Sequence, residues 1–200
     1  LITCHLGNGC SLAAIRDGVC VDTTMGFTPL EGLMMGTRSG SIDPSIPIYL
    51  LRQGYDAQQI DEMLNKQSGL KGVSGISGDM RQISQAIAQG NDRAKLAFAI
   101  YIHRLRSHIG SMLASLSGLD AIVFTAGVGE NHAQTRQVTC EAFEFLGLKL
   151  DANKNQSSPK DADIATLDST IRVLVVQTQE DWAIAQSCWD LLNWESGVAE

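Results

Sequence analysis

The 200-residue chain is 44% hydrophobic and 18% charged, with a net charge of −7 and an isoelectric point near 5.0, so it can bury a sizeable core but has no basic stripe for a nucleic-acid backbone or an anionic membrane surface. Its five cysteines, Cys4, Cys10, Cys20, Cys140 and Cys188, form an odd set without CxxC or metal-like spacing, which argues against a disulfide framework or a zinc site and favours a reducing, cytoplasmic compartment. No apolar run is long enough to span a bilayer, and Leu1-Ile2-Thr3-Cys4 reads as the inside of a strand rather than a leader, so the chain is expected to be a fragment.

In chain order, the first 24 residues read as paired strands. An apolar run from Leu1 to Cys4 is followed by the loop HLGNG, then strands from Ser11 to Arg16 and Val19 to Thr23 joined by an Asp17-Gly18 hairpin turn. Residues 25–40 are Gly-rich and aperiodic, and loops of that length inside a compact domain tend to be functional. Helical spacing then takes over. Ile46, Tyr49 and Leu50 mark one helix, and Ile60, Met63 and Leu64 mark a second with Asp56 as its N-cap. A short third helix runs from Asp79 to Ala88. A long fourth starts near Asp92 and ends at Gly118, with Leu96, Ile100, His103, Ser107, Met112 and Leu116 on related faces, and is expected to be the central core helix. Ala121 to Thr125 reads as a buried strand leading into Gly127-Val128-Gly129, with Asn131 capping a helix to about Leu146. The polar stretch with Asn153, Lys154, Asn155, Ser157, Ser158 and Pro159 reads as loop. A last strand from Ile171 to Val176 leads into a helix from about Glu180 to Leu192. One α/β domain over residues 1–200 follows.

Neither glycine loop is a standard nucleotide fingerprint. HLGNG and AGVGENH lack the Gly-Lys-Ser/Thr end of a P-loop, and His132 stands where a dinucleotide fingerprint needs its third glycine. HLGNG lies between paired strands, so Gly7 and Gly9 would let a phosphate approach the backbone of a hairpin turn while Asn8 offers an amide. Taken alone it is equally an ordinary Gly-Asn turn. Phosphate held by β-hairpins belongs to the actin, Hsp70 and sugar-kinase architecture, a ribonuclease H-like lobe with a mixed sheet flanked by helices. The second loop, TAGVGEN, is expected to offer free amides at a helix N-terminus. Two such loops on strand ends in one acidic domain point to a nucleotide lying across a cleft.

The run DTTMGFTPLEGLMMGTRSGSIDP from Asp22 to Pro44 closely resembles the central motif of the acetate kinase family, and HLGNGCS, SGISGDMR and TAGVGEN match that family in the same order, over roughly Leu1 to Leu192. The resemblance implies two duplicated actin-like lobes, of which this chain is similar to the C-terminal one. It also implies reversible phosphoryl transfer between ATP and acetate, giving ADP and acetyl phosphate, with Mg²⁺ (or Mn²⁺) as cofactor and a homodimer formed through this lobe. Propionate kinases share these motifs, and butyrate kinases diverge more in the central one. The family's metal-binding aspartate, second arginine and carboxylate-side histidine belong to the other lobe, so a nucleotide-binding or dimerising module without catalysis is the alternative.

Site roles follow from chemistry and resemblance together. Arg38 supplies a forked donor for the equatorial oxygens of a transferring phosphoryl group, and the resemblance makes it the transition-state arginine; the bland alternative is pairing with Asp43 or Glu31. Glu180, at a strand end, can reach a metal bridging phosphates and matches the family's metal glutamate, although Asp181 is adjacent and TQED departs from the usual asparagine-glutamate-glutamate sequence. By resemblance, His5 with Gly7, Asn8 and Gly9 contacts phosphate, Asp79, Met80 and Arg81 hold adenosine, and Gly127, Val128, Gly129, Glu130 and Asn131 form a second adenosine loop. Asp79 also reads as a helix N-cap. Pro29 matches a wall of the pocket for the acetate methyl. Ser41 replaces an aspartate usual in the family, which puts local loop order in question. His103 and His108 are read as satisfied core histidines.

Overall fold

The computed structural model describes residues 1–157 and 159–195, so Ser158 lies outside the described residues. The N-terminal pattern folds as read. Strands β1 (Ile2–Leu6), β2 (Cys10–Arg16) and β3 (Val19–Thr23) form an antiparallel meander. Alternate residues of β1 and β2 are buried, as the period of two requires. Asp17 and Gly18 both take positive φ, 51° and 80°, the combination that matches the twist of a two-residue hairpin. The parallel half comes from distant sequence. β4 (Ala121–Thr125) lies beside β1, β6 (Arg172–Val175) beside β4, and a two-residue β5 (Ala162–Asp163) closes the order β3-β2-β1-β4-β6-β5. β5 was not foreseen, and its two residues are too short to show a period.

Helices α1 (Ser45–Arg52), α2 (Ala57–Lys66), α3 (Gly69–Ser74), α4 (Met80–Ala88) and α5 (Asp92–Leu116) follow the meander. Asp56 caps α2 in a full capping box with Gln59. The Asn91 side chain accepts from the Ala94 amide to start α5, which packs against α3, α4 and β2. Its core face differs in part from the expectation. Ala94, Ala97, Tyr101, Leu105, Ile109 and Met112 are buried, whereas Leu96 is 52% exposed and His103 and Ser107 face solvent. Met112 is buried as expected and Ile100 and Leu116 pack partly buried against the core, while close approach of neighbouring elements selects the small alanines in place of Leu96, His103 and Ser107. Neither histidine is a satisfied core residue, since His103 is exposed and His108 buries its Nε2 without a hydrogen-bond partner.

Two further corrections concern the second half. The helix expected from Asn131 to Leu146 is broken into α6 (Ala126–Asn131), α7 (Ala133–Glu141) and a 3-10 turn at Glu144–Leu146. His132 rather than Asn131 caps α7, accepting from the Thr135 amide at 3.2 Å. The polar stretch read as loop contains α8 (Ala152–Ser157), whose first amides, those of Asn153 and Lys154, donate to Asp151 Oδ1. Its Asn155 is buried because Arg136 of α7 needs it, donating to its Oδ1 and its backbone oxygen at 2.8 Å each. The final helix, α9 (Glu180–Glu195), begins where expected.

Candidate active site

Residues 25–40 lead from the meander toward α1, with Leu33, Met34 and Met35 buried in the core. Ser41 orders the end of that loop. Its hydroxyl accepts from the Gly32 amide at 3.0 Å, its own amide donates to Gly32 O at 3.0 Å, and Arg104 donates to its carbonyl. The smaller residue therefore keeps the loop closed without a carboxylate. The loop then meets the β1–β2 turn. The Gly36 amide donates to Asn8 O at 3.0 Å, and a Cβ on Gly36 would lie 2.3 Å from Asn8 Oδ1 and 3.0 Å from Gly78 O. No side chain fits at that three-way contact, so the phosphate-type turn, the long loop and the approach to α4 are locked together through backbone.

Two cavities of about 580 and 700 Å³ open along this line and share Gly7, Asn8 and Gly127. The smaller is bordered by His5, Gly9, Glu130, Thr178, Glu180 and Asp181, and the larger by Thr37, Asp79, Met80, Arg81, Val128, Asn131 and His132. Together they form one trough running over the hairpin turn. Cys10 borders the smaller cavity, and burial pushes its thiol up to about 11, so it presents a neutral wall.

Arg38 lies beside this trough. Its Nη1 donates to Pro29 O at 3.3 Å and would be 3.2 Å from a Cβ on Gly9, which puts the guanidinium against the hairpin turn. Among the described residues it makes no ion pair; Asp43 instead accepts from the Ser45 amide at the start of α1. The alternative pairing of Arg38 with Asp43 or Glu31 is thus not formed. Pro29 itself is exposed and touches the site through its carbonyl. His5 Nε2 stands 3.6 Å from Glu180 Oε1 at the opposite lip.

Asp79 caps α4 by accepting from the Arg81 amide at 2.9 Å, and its two oxygens also receive the Arg81 guanidinium. Hydrogen bonding to Arg81 holds its carboxyl below the usual carboxylate range. Of the free amides expected at the start of the second glycine loop, that of Ala126 is engaged. Ala126 N donates to Glu130 Oε1 at 2.9 Å and to Thr178 Oγ1 at 3.0 Å, so one turn of helix folds back on its own glutamate. Gly129 is buried, and Asn131 donates to Gly127 O.

Sequence reasoning missed Thr37, Thr178 and His132 as trough residues. His132 bonds Ser84 Oγ and Thr135 Oγ1, both at 2.8 Å, and burial followed by the nearby Arg136 charge lowers its pKa. The pattern His-x-x-Thr directly after the glycine loop was the available signal. Thr178 carries no local signal, because its partners are 48 to 53 residues away.

A divalent cation fits the smaller cavity only in part from protein groups. Among the described residues no cluster of three or more His, Cys, Asp or Glu side chains is assembled. Glu180 and Asp181 offer exposed hard oxygen donors at its rim, which suits Mg²⁺ completed by phosphate oxygens and water rather than an all-protein cage.

A mixed sheet flanked by helices, with a trough running over a β-hairpin turn, defines a lobe of the actin and sugar-kinase-like fold. The chain belongs to the acetokinase family, whose model matches residues 1–186. It is 70% identical over 194 residues to the acetate kinase of Nostoc punctiforme, covering 96% of this chain and 48% of that protein. Among solved structures, it superposes on Porphyromonas gingivalis acetate kinase with a TM-score of 0.90 at 44% identity, covering 96% of this chain and 48% of that one. A propionate kinase from Francisella tularensis gives 0.86 at 46% identity, covering 92% and 47%. The chain spans about half the length of the relatives it matches.

Proposed function

We propose that this chain is the C-terminal, nucleotide-carrying lobe of an acetate kinase, which moves a phosphoryl group reversibly between ATP and acetate. The observation that carries the reading is the single trough over Gly7 to Gly9, with the Arg38 guanidinium against Gly9 at its edge. Phosphates lie over the hairpin turn with His5 and Asn8, and the nucleoside extends between Asp79 to Arg81 and Gly127 to Asn131. A carboxylate oxygen attacks the γ-phosphorus in line, and the β–γ bridging oxygen leaves with ADP. The nucleophile is already an anion near pH 7, so no general base is required and catalysis is positioning plus charge stabilisation. Arg38 offers two parallel donors to the equatorial oxygens of the transferring group. Glu180, with Asp181 adjacent, would hold the Mg²⁺, which when bound supplies charge neutralisation between the phosphates. Pro29 forms one wall for the acid's alkyl group, and the other lobe supplies the rest. The propionate kinase match keeps a three-carbon acid as a second reading.

Assembly is part of the proposal. α1 buries none of its residues and exposes Ile46, Ile48, Tyr49 and Leu51 around its circumference, apolar surface suited to cover by a second copy in a homodimer. All five cysteines are free, which agrees with a cytoplasmic setting, and no helix among the described residues is long and apolar enough to cross a membrane. Calorimetric titration of the chain with MgADP at millimolar nucleotide tests the central assignment. Heat of binding is expected from this lobe alone, and a flat titration of folded protein removes the nucleotide trough and leaves only the dimerising module.

A further inference from the structure

Glu130 borders the phosphate end of the trough, yet its Oε1 is fully engaged inside the protein. It accepts from the Ala126 amide at 2.9 Å, the Thr178 amide at 2.9 Å and the Thr178 hydroxyl at 3.0 Å. The Thr178 hydroxyl is also saturated. With its proton given to Glu130, its two lone pairs face Thr125 Oγ1 at 2.6 Å and the Ala126 amide at 3.0 Å. This knot joins two segments 48 residues apart, the β4–α6 turn and the strand-to-helix link that delivers Glu180. It also holds Ala126 at φ +64°, a left-handed conformation that costs an alanine about 1–2 kcal/mol and persists only where surroundings impose it. Beyond it, residues 180–192 of α9 are all exposed. Among the described residues, the approach to Glu180 is tied by the Gln177 amide donating to Asp161 Oδ1 at 2.9 Å and by the knot at Thr178, and Glu180 itself meets only the 3.6 Å approach of His5.

We propose that Glu130 and Thr178 are positioning residues, a clasp that fixes the carboxylate of Glu180 relative to the Gly7–Gly9 turn and so sets how well a metal-bound nucleotide is gripped. The inference rests on the reading of Glu180 as the metal-facing carboxylate. Thr178→Val keeps shape and removes the hydroxyl, and Thr178→Ser returns the hydroxyl without the methyl. In the full-length enzyme, ADP affinity is measured by calorimetry in excess Mg²⁺ and again in EDTA, with a thermal melt of each variant alongside.

Loss of the charge-assisted hydrogen bond to Glu130, together with the two bonds the hydroxyl accepts from Thr125 and Ala126, is expected to cut the Mg²⁺-dependent tightening of ADP about tenfold in Thr178→Val, with metal-free affinity held within about twofold and most of the loss recovered in Thr178→Ser. If Thr178→Val does not fold, Thr125→Val reads the same clasp. It removes only the donor to Thr178 Oγ1 and is expected to reduce the tightening about threefold. The clasp is refuted if the folded variant keeps the wild-type Mg²⁺ response, if Thr178→Ser is as impaired as Thr178→Val, or if metal-free and metal-bound affinities fall together, as simple loosening of the fold would produce. A wild-type enzyme that binds ADP equally with and without Mg²⁺ fails the metal reading of Glu180 itself and takes the clasp's purpose with it.

Discussion

Replacing Arg136 with methionine removes the most heavily committed polar side chain of the nucleotide lobe. Arg136 is fully buried, and its guanidinium donates to Gly129 O at 2.8 Å, Glu130 O at 2.7 Å, Asn155 Oδ1 at 2.8 Å and Asn155 O at 2.8 Å. The first two acceptors are last-turn carbonyls of α6, which lack partners within their own helix. Methionine matches much of the volume but leaves at least these four acceptors without their donor, each costing about 1–3 kcal/mol where it is buried. Against this stands the relief of burying a guanidinium, which burial already disfavours enough to lower its pKa. Breaking one side of such a buried charged network costs a net of about 3–5 kcal/mol. A chain of this size loses roughly 2–4 °C of Tm per kcal/mol, so the midpoint should fall by about 10 °C. Circular dichroism melts of the chain with and without MgADP read both parts, since α6 also lines the trough. Arg136→Lys should recover less than half, because an ammonium cannot reach both α6 and α8 at once. A methionine variant melting within about 2 °C of wild type would falsify the assignment of Arg136 as the staple between α7, α6 and α8.

Two further outcomes are expected. In the full-length enzyme, Arg38→Ala should lower kcat roughly a thousandfold with ADP affinity nearly unchanged, and Arg38→Lys should stay well below wild type because a point charge lacks the planar fork; near-normal turnover in the alanine variant places the chemistry elsewhere. Stability should depend on pH through His132 and His108. Burial lowers both from 6.5, aided by Arg136 and Arg104 respectively and, for His108, partly opposed by a backbone hydrogen bond. The unfolded chain therefore binds more protons, so urea midpoints should be level above about pH 7.5 and fall as pH drops through 6.5 toward the lowered folded values. A His108→Gln, His132→Gln double variant should flatten that slope, and an unchanged slope would move its origin to other groups.

What the sequence made legible, and what it hid, divides by the distance between partners. The β1–β3 meander was readable because alternation and the Asp17-Gly18 turn act over neighbouring residues. The α2 and α4 caps were readable for the same reason, since Asp56 and Asp79 bond amides two or three residues on. The face of α5 was not, because Ala94 and Ala97 are buried for their smallness, a requirement set by the elements above them. Nor was α8, whose Asn155 looks like loop until Arg136, 19 residues earlier, supplies the reason for burying it.

The same division runs through the site. Glycines at the hairpin turn and the long loop announce close backbone approach by their identity alone, and Gly36 proves to sit where no Cβ fits. Glu130 gave the opposite impression. By resemblance it belonged to the second adenosine loop, whereas its Oε1 is spent on Ala126 and Thr178. The Ala126 amide is thereby committed inside the protein. If the Gly7–Gly9 turn is the phosphate site proposed above, it must draw nucleotide by local dipoles against a net charge of −7, because a distant field of that sign repels anions.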